Sequence, residues 1–126
     1  EYEALEAATV ENVSCGNSAI VTAPFLHEFN DPAWIERTRA THEAMNAVTS
    51  FVWVYCDAET MHTYIRRRGA ARDAAKLSDW SGYLASINLD FRPPVPHVLI
   101  DNRATAMPLR TQAKELLTNL LGTTDR

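Results

Sequence analysis

The sequence has few glycines, few cysteines and no long apolar run. Its four glycines, at positions 16, 69, 82 and 122, form no glycine-rich phosphate-binding loop. Apolar runs fall well short of the roughly 18 residues of a membrane-spanning helix, and no basic-then-apolar leader opens the chain. Cys15 and Cys56 lie far apart and form no ligand-like pair, which predicts two buried, reduced thiols in a cytoplasmic protein.

Positive charge is scarce overall but concentrated in one segment. The chain has 12 Lys and Arg residues against 16 Asp and Glu residues, and this acidic balance argues against nucleic acid as the main partner. Residues 66–76, here called the arginine segment, have the opposite balance, since five cations and one acid give a local charge of +4. The segment contains Arg66, Arg67, Arg68, Arg72, Asp73 and Lys76. Such a concentration of charge indicates an anion-binding segment.

The spacing of the arginines separates two roles. Residues 66–68 are consecutive, so on a helix they point about 100° apart and cannot all contact one ligand. We expect Arg66 and Arg67 to complement the dipole at a helix C-terminus. Arg68 and Arg72 are separated by Gly69, which breaks the helix and allows both guanidinium groups to approach one phosphate.

Apolar patterning predicts three short buried strands that alternate with helices. The predicted strands are 18–25 (SAIVTAPF), 50–56 (SFVWVYC) and 97–101 (HVLID). The second strand is apolar on both faces, which predicts helices on both sides of a parallel sheet. The predicted helices are 1–14, 31–45, 58–68, 73–87 and a last helix that begins near 105 or 108 and ends near 120. This order predicts an α/β fold with three α-β-α layers.

The predicted sheet has few strands for its class. Sheets average about five or six strands, and the chain opens Glu1-Tyr2, without methionine, in a pattern that is already helical. We therefore expect residues 1–126 to be the C-terminal portion of a single domain whose first strands precede Glu1. Pairing of a bare sheet edge with a second copy, as a homodimer, is the alternative expectation.

Three segments of the chain resemble P-loop kinase-like ATPases. Arg68-x-x-x-Arg72-Asp73, followed by Lys76, Leu77 and Trp80, is similar to the lid of these proteins, and "SAIVTAPF" and "PHVLIDN" resemble two of their strands in the same order. The group comprises AAA-type ATP-binding proteins and small-molecule kinases, among them nucleoside, shikimate, gluconate and zeta-toxin kinases. The resemblance covers about residues 1–121 and implies an incomplete P-loop NTPase-like fold, with G-x-x-x-x-G-K-[ST] missing.

The resemblance implies transfer of the ATP γ-phosphoryl group to a small-molecule or nucleotide-like acceptor. Arg72 would contact the transferring phosphate, Arg68 would support it, and Asp73 would cap the next helix and aim Arg72. Asn102 and Arg103, after the last strand, would contact the base or ribose. ATP and Mg²⁺ are expected for the complete protein, whereas the 126 residues alone are expected to be inactive because the phosphate cradle is absent.

Other features of the sequence leave further interpretations open. Tyr64 replaces an arginine and Thr22-Ala23 replaces a strand acid that are common in the family, and we predict no metal ligand here. Glu28 and Asp31 are candidates to bind the acceptor hydroxyl, or else a solvated acid and a helix cap. The chain is alternatively a non-enzymatic interaction domain whose arginines bind an acidic partner, or a regulatory nucleotide-binding ATPase without kinase activity.

Overall fold

The structure is a computed structural model that describes residues 2–124. Within them the chain is a mixed α/β protein with one two-stranded parallel sheet. Its elements are α1 (Glu3–Ser14), α2 (Pro32–Glu43), β1 (Val52–Tyr55), α3 (Ala58–Arg68), α4 (Ala74–Ser78), α5 (Trp80–Ala85), β2 (Val98–Asp101) and α6 (Leu109–Thr124). Short 3₁₀ turns cover Glu28–Asn30 and Ala71–Asp73. No helix among these residues is long and apolar enough to cross a bilayer.

The chain divides into two compact units. The first contains the residues up to Phe51 together with Pro93–Pro96, and the second contains Val52–Arg92 and the chain from His97 onward. The second unit contains β1 and β2, the arginine segment and the residues that follow β2.

Aromatic packing forms the core of the first unit. Phe29, Ile35 and Phe51 are buried, and the rings of Phe29 and Phe51 meet edge to face with centroids 5.8 Å apart. Edge-to-face contact places the positive edge of one ring against the negative face of the other. Trp34 packs beside Phe51 and donates its indole N–H to Glu6 Oε1 at 3.1 Å, which ties α1 to α2.

The parallel sheet organises the second unit. Val52 pairs with Val98 and Tyr55 pairs with Asp101, so both strands end at the same edge of the sheet. The connection between the strands passes through α3, α4 and α5, as parallel pairing requires a crossover. The backbone N–H of Asn102 extends the pairing by donating to the carbonyl of Tyr55 at 2.7 Å. The parallel α/β prediction is therefore confirmed for these two strands.

The predicted strand 18–25 does not form, and this prediction was wrong. Residues 17–25 have no regular structure, and Ile20 is 96% exposed. A strand is stable only when a neighbour satisfies its backbone groups, and none pairs with this segment in the described part of the chain. Pro24 removes a donor, and Phe25 adopts a positive φ of 47°, which turns the chain out of an extended path.

The described sheet also lacks the predicted cover on both faces. Val54 and Leu99 are 58% and 45% exposed, and successive strand residues point to opposite faces. By register, Leu99 lies on one face of the sheet with Trp53, and Val54 lies on the other face with the exposed Val98, so both faces retain exposed aliphatic side chains. The α/β class with a parallel sheet is therefore shown, and the three α-β-α layers stay a prediction.

Local capping signals decide where three of the described helices begin and where α3 ends. Asp31 Oδ1 accepts from the N–H of Ala33 at 3.0 Å, and Asp57 Oδ1 accepts from the N–H of Thr60 at 2.8 Å. Gly69 ends α3 in the left-handed conformation, with φ 61°. The predicted continuous helix 73–87 is wrong, because Asp79 breaks it and caps a new helix by accepting from the N–H of Gly82 at 3.1 Å.

Candidate functional site

The end of α3 positions the arginine segment. Ile65 is buried and anchors the last turn, while Arg66 and Arg67 are exposed. After the left-handed Gly69, Ala70 is extended and a single 3₁₀ turn, Ala71–Asp73, leads into α4. The glycine thus reverses the chain direction without a steric penalty, and the segment folds back on the helix end that precedes it.

Asp73 is the buried centre of an ionic cluster, here called the Asp73 clamp, which consists of Arg68, Asp73 and Lys76. The Asp73 side chain has no exposed surface. Arg68 donates from Nε and Nη2 to Asp73 Oδ2, at 2.9 and 2.6 Å, and Lys76 Nζ lies 3.4 Å from Oδ1. Hydrogen bonds from Arg68 and then Lys76 outweigh burial and lower the pKa of Asp73, which keeps it ionised.

The clamp corrects the role predicted for Asp73. Asp73 precedes α4 but makes no side-chain hydrogen bond to the helix N-terminus, because its two oxygens are directed at Arg68 and Lys76. Two charged donors bind a carboxylate more strongly than a backbone N–H does. Asp73 therefore orients Arg68. The sequence had suggested that it would orient Arg72.

Arg72 remains available within the same segment. It is exposed and makes no ion pair or side-chain hydrogen bond with any residue that the structure describes. Arg66 and Arg67 share this property. Although Asp73 is the next residue after Arg72, the clamp turns that carboxylate inward. The arginine segment consequently presents guanidinium charge that its only acid does not neutralise.

The carboxyl ends of β1 and β2 form a second polar cluster. Arg103 donates from Nε and Nη2 to Asp101, with a shortest distance of 2.7 Å, and its backbone N–H also donates to Asp101 Oδ1 at 3.0 Å. These bonds lower the pKa of Asp101 and raise that of Arg103. Both Arg92 and Arg103 lie over the ring of Tyr55, with Cζ atoms 4.1 and 5.3 Å from its centroid.

Two residues behind this edge hold the loops together. Thr60 is buried, and its hydroxyl accepts from the backbone N–H of Ala104 at 3.0 Å, which links α3 to the loop after β2. Cys56 is half-buried and lies 3.7 Å from the carbonyl oxygen of Asn102, whereas Cys15 is exposed, so the prediction of two buried thiols was wrong. Burial, together with the negative charge of Asp57, raises the pKa of the Cys56 thiol, so this cysteine stays protonated and is a poor nucleophile.

Glu28 and Asp31 lie in the first unit, and the contacts described for them are with residues close in sequence. Glu28 begins a 3₁₀ turn, and Asp31 caps α2 while its second oxygen lies 4.0 Å from Arg37. The capping half of the prediction for Asp31 is confirmed. Among the described residues, no group of three or more His, Cys, Asp or Glu side chains could hold a metal ion.

No family model, curated protein or solved structure matches the chain. The resemblance to P-loop kinase-like ATPases therefore remains a prediction from the residues alone. What the structure adds is the geometry of the arginine segment and of the strand ends.

Sequence reasoning missed the contributions of Tyr55, Thr60 and Arg92. Tyr55 reads as an ordinary apolar strand residue, yet its ring orients two guanidinium groups. Thr60 has the pattern of a helix residue, and its contact with Ala104 depends on tertiary structure. Arg92 was available as a signal, because an arginine directly before two prolines in a connector has no helical role.

Proposed function

We propose that this chain supplies the arginine lid of a P-loop kinase-like ATPase that transfers the ATP γ-phosphoryl group to a small-molecule or nucleotide-like acceptor. Arg72 binds the transferring phosphate. The observation that carries this proposal is that Arg72 is exposed and unpaired among the described residues, although it directly precedes a fully buried carboxylate.

The charge of the segment favours phosphate as the ligand. Guanidinium groups bind phosphate oxygens through two parallel N–H donors and keep their charge at every physiological pH. An exposed group of unpaired arginines is unusual in a chain with net charge −4, where acids are abundant enough to pair with them. The arrangement is suited to stabilising negative charge that develops during phosphoryl transfer.

The strand ends are suited to the nucleoside part of the same ligand. Ligands of parallel α/β proteins bind beyond the carboxyl ends of the strands, where Asn102 and Arg103 follow β2. The Asn102 side chain makes no hydrogen bond to another described residue, and we propose that its amide contacts the base or ribose. Arg103 is paired with Asp101, so its proposed contribution is the planar face of the guanidinium group.

The 126 residues contain no G-x-x-x-x-G-K-[ST] motif, so we expect binding without turnover from this chain. Mg²⁺ would arrive with ATP as part of the substrate complex. Glu28 and Asp31 stay candidates to bind the acceptor hydroxyl, and this role can be tested only in a complete protein that is active.

The experiment is calorimetric titration of the chain with inorganic tripolyphosphate and with ATP. Arg72→Ala should weaken tripolyphosphate binding by at least about tenfold, or roughly 1.4 kcal/mol. Arg110→Ala is the matched control, since it removes the same charge from an exposed arginine at the start of α6. Equal losses in the two variants would show that only net charge matters and would overturn the proposal. In an intact kinase, Arg72→Ala should reduce phosphoryl transfer by at least the same factor.

A further inference from the structure

The Asp73 clamp indicates different roles for Arg68 and Arg72 in the arginine segment, because Arg68 is engaged with Asp73 and Arg72 is not. Arg68 uses both Nε and Nη2 on one oxygen of Asp73, at 2.9 and 2.6 Å. These two donors form one of the two bidentate edges of the guanidinium group. The Arg68 side chain is 47% exposed, so solvent reaches it, but one of its edges and its orientation are already committed to Asp73.

We propose that Arg68 and Asp73 are positioning residues, which act on phosphate only by fixing the turn that carries Arg72. This inference rests on the proposed function and changes one part of it, because the spacing Arg68-x-x-x-Arg72 had suggested that both arginines bind the ligand. The clamp closes a short loop around Gly69, the one residue of the segment with a positive φ. The His62 ring in α3 also packs against Trp80 in α5, with centroids 4.7 Å apart, but among the described ion pairs only those of the clamp join α3 to the 3₁₀ turn itself.

The contacts around the turn support this positioning role. Asp73 joins three consecutive elements, since Arg68 ends α3, Asp73 ends the 3₁₀ turn and Lys76 lies in α4. Lys76 Nζ also lies 5.3 Å from the centroid of the Tyr83 ring in α5. A carboxylate buried without exposed surface is stable only when it is paired in this way. The ion pairs therefore set the geometry on both sides of Arg72.

The direction in which Asp73→Asn changes the affinity for tripolyphosphate distinguishes a positioning role from direct binding by Arg68. Asp73→Asn removes a negative charge beside a proposed phosphate site, so electrostatics alone would tighten tripolyphosphate binding, and release of the Arg68 fork would tighten it further. If the clamp positions Arg72, the same change should instead weaken binding roughly tenfold, since small misplacements of a binding group are costly. Asp90→Asn is the control for charge, because Asp90 is exposed and forms no ion pair among the described residues.

Calorimetric titration with inorganic tripolyphosphate tests this inference on the whole chain. We expect weaker binding in Asp73→Asn, no further loss when Arg68→Gln is added, and unchanged or slightly tighter binding in Asp90→Asn. Far-ultraviolet circular dichroism checks that each variant is folded. Should Asp73→Asn fail to fold, Asp73→Glu replaces it, since it keeps the negative charge and Arg68 but changes the length of the clamp, so only the positioning role predicts weaker binding.

The outcomes separate this inference from the proposed function. Tighter binding in Asp73→Asn, or unchanged binding in Asp73→Glu, would show that Arg72 does not depend on the clamp and would overturn the inference. Arg72→Ala would still weaken binding in that case, and the proposed function would stand. If Arg72→Ala has no effect on tripolyphosphate binding, the proposed function itself fails and the positioning role fails with it.

Discussion

Replacement of Gly69 by alanine should destabilise the second unit by about 1 kcal/mol. Gly69 has φ 61° and ψ 23°, a left-handed conformation that costs an L-residue roughly 1–2 kcal/mol. A Cβ atom added at this position would meet no other atom within 4 Å, so no steric clash adds to that cost. Alanine also lowers the conformational entropy of the unfolded chain relative to glycine, which offsets about 0.4–1 kcal/mol of that cost. The difference is a net loss that comes only from the backbone.

Urea unfolding monitored by tryptophan fluorescence measures this loss. With a slope typical of small domains, 1 kcal/mol corresponds to a midpoint lowered by roughly 0.5 M. Gly122→Ala is a matched control, because Gly122 lies in α6 and its added Cβ also meets nothing within 4 Å. Alanine is the better helix former by about 1 kcal/mol, so this variant should be stabilised. Stabilisation by both substitutions would refute a left-handed helix end at Gly69.

Two further predictions concern charge and association. Native contacts lower the pKa values of Asp73 and Asp101, so their stabilisation of the fold is complete above the unfolded value of about 3.9 and is lost as the pH falls through the lowered native values. Acid titration of fluorescence should therefore show unfolding of the second unit below pH 4, with a smaller pH dependence in Asp73→Asn. The exposed Val54 and Leu99 predict self-association of the sheet. Sedimentation velocity should detect a dimer that grows with concentration and is lost in Leu99→Lys, whereas a monomer at every concentration contradicts this prediction.

The start of α2 and both ends of α3 were predictable from the sequence because their signals are local. Asp31, Asp57 and Gly69 each act on backbone groups a few residues away, so a short window contains both partners. The segment 18–25 has a comparable local signal for a strand, but a strand also requires a neighbour that supplies its hydrogen bonds. That neighbour is a property of tertiary structure, and the apolar run alone carried no information about it.

The candidate site was predictable in composition but not in pairing. Its arginines and the glycine that separates them were predicted from spacing, and the strand-end residues Asn102 and Arg103 were predicted from the resemblance. The partner of Asp73 was not, because an aspartate directly before a helix pattern is most simply a cap. Asp73 acts as a clamp and not as a cap when the turn at Gly69 brings its carboxylate back to Arg68. Only the three-dimensional path of the chain determines whether that happens.

The direction in which Asp73 faces decides whether the arginine segment can bind an anion at all. If its carboxylate paired with the adjacent Arg72, the exposed charge of the turn would be neutralised and a phosphate would have to displace an internal ion pair. Pairing with Arg68 and Lys76 instead buries the acid and keeps its negative charge between two partly exposed cations. Arg72 then retains its full charge at the surface, next to an acid that does not compete for it. The same carboxylate thus stabilises the turn and leaves the turn's arginine free for an external ligand, which is why charge at Arg72, and not the total charge of the segment, should govern phosphate binding.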